Sequence, residues 1–289
     1  MELVEIVAQI LGKACMETAI SQFCNQEDGE PYQVWKIETP DGCYVLKKAK
    51  GVELSVYDTF FSKEITGAPR CFGSTRVGED AYFLMEYVSG TDLRVCSREK
   101  VIAALDALIS LQSAYWERRE FASAGYSYEA SLPGRMRRLE HLHDQQLQRA
   151  YEAYLQLYAS LPLTLCHDDL LPFNVLYDGE KATIIDWEYA GLLPYPTALA
   201  RLLAHCQEQE DAFFYMTQED HDFAVEYYYT NLVQHHGISY QDYRKALDAC
   251  LLYEYCEWIM LGNRYPEVDR QRYQFYLEKA KAHVQHMYP

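Results

Sequence analysis

Three oxygen-bearing side chains are grouped in the middle of the chain, at a spacing that suits phosphate chemistry. Asp169 is followed five residues later by Asn174, and Asp186 comes a dozen residues beyond that. Carboxylate and amide oxygens are the hard ligands that Mg²⁺ prefers, and a carboxylate beside such an ion can also act as a general base. The group therefore indicates a site that binds Mg²⁺ and acts on phosphate.

Short apolar segments beside these residues predict three buried strands. The predicted strands are Leu163–Cys166, Val175–Tyr177 and residues 183–185, with Asp178 and Gly179 forming the turn between the last two. A tight hairpin of this kind holds polar side chains together at one end of a small sheet. The alternative interpretation is a hairpin whose carboxylates only cap turns.

The same stretch resembles the catalytic loop of the protein-kinase superfold. His167, Asp169 and Asn174 match its His-x-Asp-x-x-x-x-Asn pattern, and Asp186 stands where kinases carry Asp-Phe-Gly. The local sequence Asp-Trp-Glu-Tyr-Ala-Gly at 186–191 resembles the aminoglycoside phosphotransferase and choline kinase group more than the protein kinases. No Ala-Pro-Glu follows at the distance of an activation segment, so a protein kinase is the weaker alternative.

The resemblance implies an α+β, two-lobed protein-kinase-like fold. A small antiparallel β lobe with one helix, residues 1–88, is expected to bind the nucleotide. A larger, mainly helical lobe, residues 89–289, is expected to carry catalysis and to bind the substrate that accepts the phosphate. The cofactors implied are ATP and Mg²⁺.

The resemblance also implies roles for the residues of the motif. Asp169 is implied to accept the proton of the acceptor hydroxyl, while Asn174 and Asp186 hold Mg²⁺; these three are the predicted catalytic residues. His167 is implied to support the loop structurally. Glu188 is expected to touch either the metal or the substrate, and the sequence does not decide between them.

A predicted β-hairpin upstream supplies the candidate lysine. Its turn is Thr-Pro-Asp-Gly at 39–42, and its second strand, Tyr-Val-Leu-Lys at 44–47, matches the Val-Ala-Ile-Lys pattern of the lysine that binds the α- and β-phosphates. Lys47 is therefore the candidate, with Val45 on the same face against adenine and Leu46 packed on the other. Lys48 and Lys50 are nearby rivals.

Two further elements of the nucleotide site are implied by their order in the chain. A helix predicted over 52–65 carries Glu53, which is expected to pair with Lys47; Glu64 is a more distant rival. A strand predicted over 81–87 then leads toward Gly90, and the backbone of Glu86 to Val88 is expected to hydrogen-bond adenine.

Three features depart from the family's pattern. The loop at 25–30 that would cover the phosphates contains one glycine, Gly29, among acidic residues. Asp168 stands where Gly or Asn is common, and its side chain is expected to diverge from that of Asp169. Thr197 stands where an Asp commonly opens the next helix; it is expected to cap that helix but to supply no charge that braces the catalytic loop.

The last eighty residues are helical by period and rich in aromatic side chains, most of which are expected to form the core. In kinases of small cations this region supplies the acceptor pocket, and aromatic faces bind quaternary ammonium groups well. Glu254, Glu257 and Trp258 share one short helical stretch and are the candidate acceptor-binding residues.

Composition narrows the possible partners and compartments. The net charge is −17 and the pI is about 4.9, which argues against a nucleic-acid partner and suits a cationic substrate. Nine cysteines without a Cys-x-x-Cys pair indicate reduced thiols, and no apolar run is long enough to span a membrane. We expect a cytoplasmic protein with a small-molecule partner; its oligomeric state is left open.

The function predicted is therefore an ATP-dependent O-phosphotransferase that moves the γ-phosphate to a hydroxyl of a small, cationic molecule. An aminoglycoside and a choline-like amino alcohol both fit, and the donor base is left open between ATP and GTP. The alternative is a pseudokinase that binds nucleotide without turnover, which the single glycine of the phosphate loop favours.

Overall fold

The computed structural model describes residues 2–14, 17–25, 29–63, 65–265 and 270–288. Its first part contains the elements α1 (Leu3–Leu11), β1 (Ala19–Cys24), β2 (Pro31–Thr39), β3 (Gly42–Lys48), α2 (Glu53–Phe60), β4 (Cys71–Val77) and β5 (Asp80–Glu86). The five strands form an antiparallel sheet in the order β1-β2-β3-β5-β4. The helix that the resemblance implies is α2, and α1 adds a second one at the amino-terminal end.

The predicted hairpin of β2 and β3 is confirmed, including its turn. Thr39 pairs with Gly42 across the turn, and the Thr39 hydroxyl accepts from the Asp41 N–H at 3.3 Å. The outer strands β1 and β4 were not predicted. Nearly every residue of β1 is exposed, so the strand lacks the apolar alternation that marks a half-buried strand.

Alternation along β3 sends its side chains toward two different helices. Leu46 belongs to a buried cluster with Val7 of α1, whereas Val45 on the opposite face belongs to a cluster with Val56 of α2. Lys47 lies two residues after Val45 and is therefore directed to the α2 face. The sheet thus sets the lysine opposite the helix that carries Glu53.

The chain leaves the first sheet after Glu86 and enters a second one at Thr91, close to the predicted lobe boundary at residue 88. Gly90 makes this passage possible. It adopts φ +156°, and a Cβ at this position would lie 2.6 Å from the Tyr177 carbonyl oxygen. A residue with a side chain would clash there with the backbone of the second sheet.

The second part is mainly helical. Its helices are α3 (Arg98–Tyr115), α4 (Tyr128–Arg138), α5 (Gln145–Tyr158), α6 (Pro196–Ala204), α7 (Gln218–Asn231), α8 (Tyr240–Arg264) and α9 (Arg270–Met287). Its strands are β6 (Thr91–Asp92), β7 (Leu163–Cys166), β8 (Val175–Tyr177), β9 (Ala182–Ile184) and β10 (Gly191–Pro194). Strands β6, β8 and β9 form one small sheet, and β7 pairs with β10. Among the described residues, no helix has the length and apolarity to cross a membrane.

Two segments have a regular structure that their local sequence disfavours. Pro133 and Gly134 disfavour a helix, yet α4 runs through both, with Ser127 capping its start and Tyr151 donating to the Arg135 carbonyl at 2.7 Å. Gly191 and Pro194 favour a turn, yet residues 191–194 form the strand β10, which pairs with β7. Packing against neighbouring elements stabilises both segments.

Candidate active site

Lys47 connects the two parts of the molecule. Its ammonium lies 2.6 Å from Glu53 Oε1 and also forms an ion pair with Asp186. The rival Lys48 points to the other face and pairs with Asp80 at 2.8 Å, whereas Lys50 lies 3.7 Å from Glu188 at the cleft. Sheet, helix and hairpin therefore bring together the three residues that the sequence predicts to meet.

Burial and pairing act against each other in this cluster. Burial alone would lower the pKa of Lys47, but the carboxylates of Asp186 and Glu53 overcome it and hold that pKa above its usual value. Burial would also raise the pKa of Asp186, and the Lys47 ammonium keeps it low. Burial raises the pKa of Glu53 to about 7, against the attraction of Lys47. Asp186 is thus ionised at neutral pH, as a metal ligand must be.

The hairpin of β8 and β9 sets Asn174 beside Asp186. Val175 pairs with Ile184, and the Ile185 N–H donates to the Asn174 carbonyl at 2.9 Å. The Asn174 amide nitrogen donates in turn to the Asp169 carbonyl at 2.9 Å, which closes the catalytic loop on itself. Strand pairing and loop hydrogen bonds together place all three predicted catalytic residues at one end of the hairpin.

His167 supports this loop through contacts with the residues on either side of Asp186. It is fully buried, its Nε2 lies 2.8 Å from the Ile185 carbonyl oxygen, and its ring packs on Trp187 with centroids 4.7 Å apart. Burial lowers the pKa of His167 to about 4, so the imidazole is neutral at physiological pH. The geometry matches the structural role implied for it.

The donor set at the hairpin end fits Mg²⁺. The Asn174 amide nitrogen donates within the loop, and the side-chain oxygen of Asn174 accepts from none of the described residues. That oxygen is therefore available to a metal ion. Asp186 is 42% exposed at its side chain, and Lys47 contacts only its Oδ1. Among the described residues no group of three His, Cys, Asp or Glu side chains forms an all-protein metal cage. Two protein oxygens completed by phosphates and water are the usual surroundings of Mg²⁺ in phosphoryl-transfer sites.

Two aspartates of the site have left-handed backbone conformations. Asp168 has φ +55° and Asp186 has φ +66°, a region that Asp tolerates better than most residues. The Asp168 carboxylate turns away from the loop to meet Arg135 Nη2 at 2.5 Å. The side chains of Asp168 and Asp169 therefore diverge, as expected.

The candidate base has a partner that the sequence did not reveal. Arg201 of α6 donates to Asp169 Oδ1 from Nη2 at 2.8 Å and from Nε at 3.2 Å. Burial raises the pKa of Asp169 to about 6, although Arg201 acts to lower it. Arg201 lies one helical turn after Thr197 and so shares its helix face, but this spacing does not indicate what the face packs against.

Thr197 does not cap α6. Tyr195 occupies the cap position, Pro196 follows it, and the buried Thr197 hydroxyl has no hydrogen-bond partner among the described residues. The prediction of a Thr cap was wrong. The positive charge of Arg201, instead of a charge at position 197, braces the catalytic loop.

Asp169 opens onto a cavity of about 760 Å³ between α4, α6 and α8. Its lining combines arginines with carboxylates, which are Arg135, Arg137, Arg138, Arg201, Arg264, Glu140, Asp168, Asp169, Glu254 and Glu257. Tyr126, Tyr189 and Tyr253 add aromatic surface. None of the arginines was predicted as a site residue, because their relation to the catalytic loop depends on how the helices pack.

Two of the three predicted acceptor residues line this cavity. Glu254 is buried and lies 2.8 Å from Arg201, and Glu257 lies 2.5 Å from Arg201 and 3.0 Å from Arg138. Trp258 faces another way: it stacks on Tyr276 at 5.6 Å and is absent from the cavity lining. Its ring is taken up by Tyr276 of α9, so the acceptor role predicted for Trp258 is corrected to a packing position.

Glu188 lies beside Lys50, on the side of the cleft that is predicted to bind the nucleotide. Its Oε2 is buried, has no hydrogen-bond partner among the described residues and lies 3.7 Å from Lys50 Nζ. It does not line the cavity beside Asp169. Of the two roles expected for it, contact with the metal suits this position better than contact with the substrate.

Two of the three backbone N–H groups from Glu86 to Val88, the segment predicted to contact adenine, already donate hydrogen bonds within the protein. The Glu86 N–H donates to the Arg70 carbonyl at 2.9 Å, and the Tyr87 N–H donates to the Cys43 carbonyl at 3.4 Å. The Val88 N–H has no acceptor among the described residues. The adenine contact predicted for Glu86 to Val88 is therefore narrowed to Val88 as donor, with the buried side chain of Val45 on the cleft face of the sheet.

The predicted phosphate loop is described only at its ends. Residues 26–28 lie outside the described residues. The Asn25 N–H donates to the Glu30 carbonyl at 2.8 Å, and Gly29 has φ +74°. The second candidate partner of Lys47, Glu64, also lies outside the described residues.

Comparisons with known proteins give a family match and similar folds. The family model described as the phosphotransferase enzyme family matches residues 27–230. Protein LicA of Haemophilus influenzae is 25% identical over 115 residues, which cover 40% of this chain and 31% of LicA. A second LicA sequence, from strain Rd, is 28% identical over 95 residues. The chain thus matches about a third of the length of these curated relatives.

Solved structures show the same fold. A protein of Ralstonia eutropha JMP134 assigned as an aminoglycoside phosphotransferase has a TM-score of 0.67 at 12% identity, covering 99% of this chain and 95% of that one. Choline kinase of Cryptosporidium parvum has a TM-score of 0.61 at 16% identity, covering 94% and 92%. An amicoumacin kinase in complex with AMP-PNP, Ca²⁺ and its ligand has a TM-score of 0.54 at 11% identity, covering 92% and 88%. The predicted α+β, two-lobed kinase-like fold is confirmed.

Proposed function

The chain belongs to the phosphotransferase enzyme family, and from that premise we propose that it transfers the γ-phosphate of ATP to a hydroxyl of a small, cationic acceptor. One observation carries the proposal. Lys47 pairs with Asp186 on one side of the catalytic loop, while Asp169 opens onto a large cavity on the other. A donor site and an acceptor site thus meet at one loop, which in-line phosphoryl transfer requires.

The residues divide the reaction between them. Lys47, held by Glu53, binds the α- and β-phosphates, and the Val88 N–H binds the adenine edge. Asn174 and Asp186 would hold Mg²⁺, which when bound neutralises charge on the β- and γ-oxygens. Asp169 accepts the proton of the acceptor hydroxyl and directs its oxygen toward phosphorus.

The carboxylates beside the candidate base support a cationic acceptor. The cavity lining as a whole is balanced, with five arginines and five carboxylates. Beside the base, however, the carboxylates of Asp169, Glu254 and Glu257 share the two guanidinium groups of Arg138 and Arg201, which leaves one net negative charge on this cluster. A volume of about 760 Å³ admits an aminoglycoside as well as a small amino alcohol. We propose a hydroxyl-bearing amine as the acceptor class.

The experiment combines nucleotide binding with an acceptor panel. Thermal shifts with MgATP and MgGTP identify the donor, and ADP release with ³¹P NMR of products then follows turnover on amino alcohols, aminoglycosides and neutral sugars. We expect turnover on amines and none on their neutral polyol counterparts. Binding of MgATP without transfer to any acceptor in the panel would contradict the proposal.

A second candidate function is nucleotide binding without turnover. One observation favours it: the candidate base is already engaged by Arg201. Slow, Mg²⁺-dependent hydrolysis of ATP without acceptor separates the two, since an inactive module would show none and an active transferase would use water in place of the acceptor.

We propose a cytoplasmic location, because the nine cysteines of the sequence include no Cys-x-x-Cys pair and fit reduced thiols better than a disulfide framework. The acidic net charge of −17 again disfavours a nucleic-acid partner.

A further inference from the structure

One guanidinium contacts three carboxylates at the wall of the cavity. Arg201 donates to Asp169 Oδ1 at 2.8 Å, to Glu254 Oε2 at 2.8 Å and to Glu257 Oε2 at 2.5 Å. The planar fork of arginine can satisfy several acceptors in fixed directions, which an ammonium cannot do. The base is thereby tied to α6 and, through the two glutamates, to α8.

Arg201 is held in place by Glu254 and His205, which lie on the side of the guanidinium away from the catalytic loop. Glu254 is 1% exposed, and His205 Nε2 lies 3.4 Å from Arg201 Nη1 while His205 Nδ1 lies 2.7 Å from the Tyr276 hydroxyl. Every residue of α6 except Arg201 is buried. The guanidinium therefore extends from a packed helix, and its direction is fixed by groups that do not touch the catalytic loop.

The contact is made to one oxygen of Asp169. Both Arg201 nitrogens that reach the carboxylate donate to Oδ1, and no described residue donates to Oδ2. A carboxylate that is free to turn exchanges its two oxygens. With Oδ1 occupied, Oδ2 is left to accept the proton of a hydroxyl bound in the cavity.

We propose that Arg201 is a positioning residue for the phosphoryl transfer: it fixes the carboxylate of Asp169 with Oδ2 toward the acceptor, and Glu254 fixes Arg201. This inference rests on the proposed function. Arg201 acts through Asp169 and does not need to touch the nucleotide, so its removal affects the chemical step more than the binding of MgATP.

The test is a double-mutant cycle. Arg201→Met is expected to lower kcat about 100-fold with the KM for ATP unchanged, because a displacement of about 1 Å at a reacting group costs that much. In an Asp169→Asn background the same substitution is expected to change kcat by less than about threefold, since the two residues act as a unit. Arg201→Lys is expected to restore only part of the rate, and the exposed Arg149→Met is the matched control.

A second variant distinguishes a loss of stability in Arg201→Met from a loss of the positioning of Asp169. Arg201→Met leaves Glu254 buried without a counter-ion, so Arg201→Met/Glu254→Gln removes both charges and is expected to unfold at a higher temperature than the single variant while its kcat stays low. Recovery of kcat together with stability would overturn the proposal. So would a kcat within about twofold of wild type in Arg201→Met, or an equal loss with and without Asp169.

A protein that lacks the proposed transferase activity is distinguished from one in which Arg201 does not position Asp169. If the wild-type protein transfers phosphate to no acceptor, that function is lost, and the Arg201–Asp169 contact is then measured by denaturant unfolding of the two single variants and the double variant. A non-additive free energy of unfolding supports the fixing of Asp169 by Arg201. Additive values would overturn it.

Discussion

Lys47 forms an ion pair with Asp186, although the two residues lie 139 positions apart in the chain. One belongs to the sheet of the first lobe and the other follows the hairpin of the second, so the pair closes the cleft on its phosphate side. Glu53 completes the arrangement from α2 at 2.6 Å. With Mg²⁺ held by Asn174 and Asp186, the ammonium of Lys47 would be placed to bind the α- and β-phosphates.

Lys47→Met is expected to weaken the affinity for MgATP about 10- to 100-fold, which corresponds to the loss of charge-assisted hydrogen bonds to phosphate. The neighbouring Lys48→Met is the matched control, because Lys48 points to the other face and pairs with Asp80. Calorimetric titration with MgATP measures both. Equal losses in the two variants would contradict the assignment of Lys47 to the phosphates.

Asp186→Ala is expected to abolish the part of ATP binding that depends on Mg²⁺, because the variant loses the carboxylate that is proposed to hold the metal together with Asn174. ATP affinity is measured by calorimetry with Mg²⁺ and with a chelator. The wild type should bind more tightly with Mg²⁺, and the variant should show no difference. An Mg²⁺-dependent gain that survives in the variant would place the metal elsewhere.

Asp169→Asn is expected to fold normally, to bind MgATP as the wild type does and to lose about 10²- to 10⁴-fold in kcat, the usual contribution of a positioned base. Steady-state kinetics with the best acceptor of the panel measure the loss. Asp211→Asn, at an exposed position, is the control. Wild-type turnover in Asp169→Asn would remove this carboxylate from the mechanism.

Activity is expected to fall with acid at an unusually high pH for an aspartate base. Asp169 must be ionised to accept a proton, and burial raises its pKa to about 6 from an ordinary value of 3.8. The value of kcat/KM should therefore be constant above about pH 6 and fall tenfold per unit below it. A profile that stays flat down to about pH 4.5 would show that another group limits the reaction.

Asp168→Ala is expected to lower the free energy of unfolding by about 3–5 kcal/mol, because Arg135 remains buried without its counter-ion. Asp168→Gly should lose about 1 kcal/mol less, since glycine relieves the left-handed backbone at φ +55°. The double variant Arg135→Met/Asp168→Gly removes both charges and should recover most of the loss. Denaturant unfolding measures all three, and equal stability of the three variants would contradict a structural role for the pair.

Local patterns were sufficient wherever a residue's role depends on its near neighbours in the chain. The Thr-Pro-Asp-Gly turn predicts the hairpin of β2 and β3, and alternation along β3 separates Lys47 from Lys48. The same reasoning fails where packing decides. Pro133 lies inside α4 because Tyr151 and its neighbours hold the helix, and Trp258 lies outside the cavity lining because it stacks on Tyr276 of α9.

The amino-acid sequence by itself determined the fold family, the hairpin that carries Asn174 and Asp186, and the choice of Lys47 as the candidate lysine. Each of these depends on short-range spacing and side-chain alternation. Only the tertiary structure decided how the base is held and what surrounds the acceptor. Arg135 and Arg201 reach Asp168 and Asp169 from helices that lie 33 and 32 positions away in opposite directions along the chain. No periodicity within one element encodes such a contact, since it depends on the angle and depth at which α4 and α6 pack against the catalytic loop.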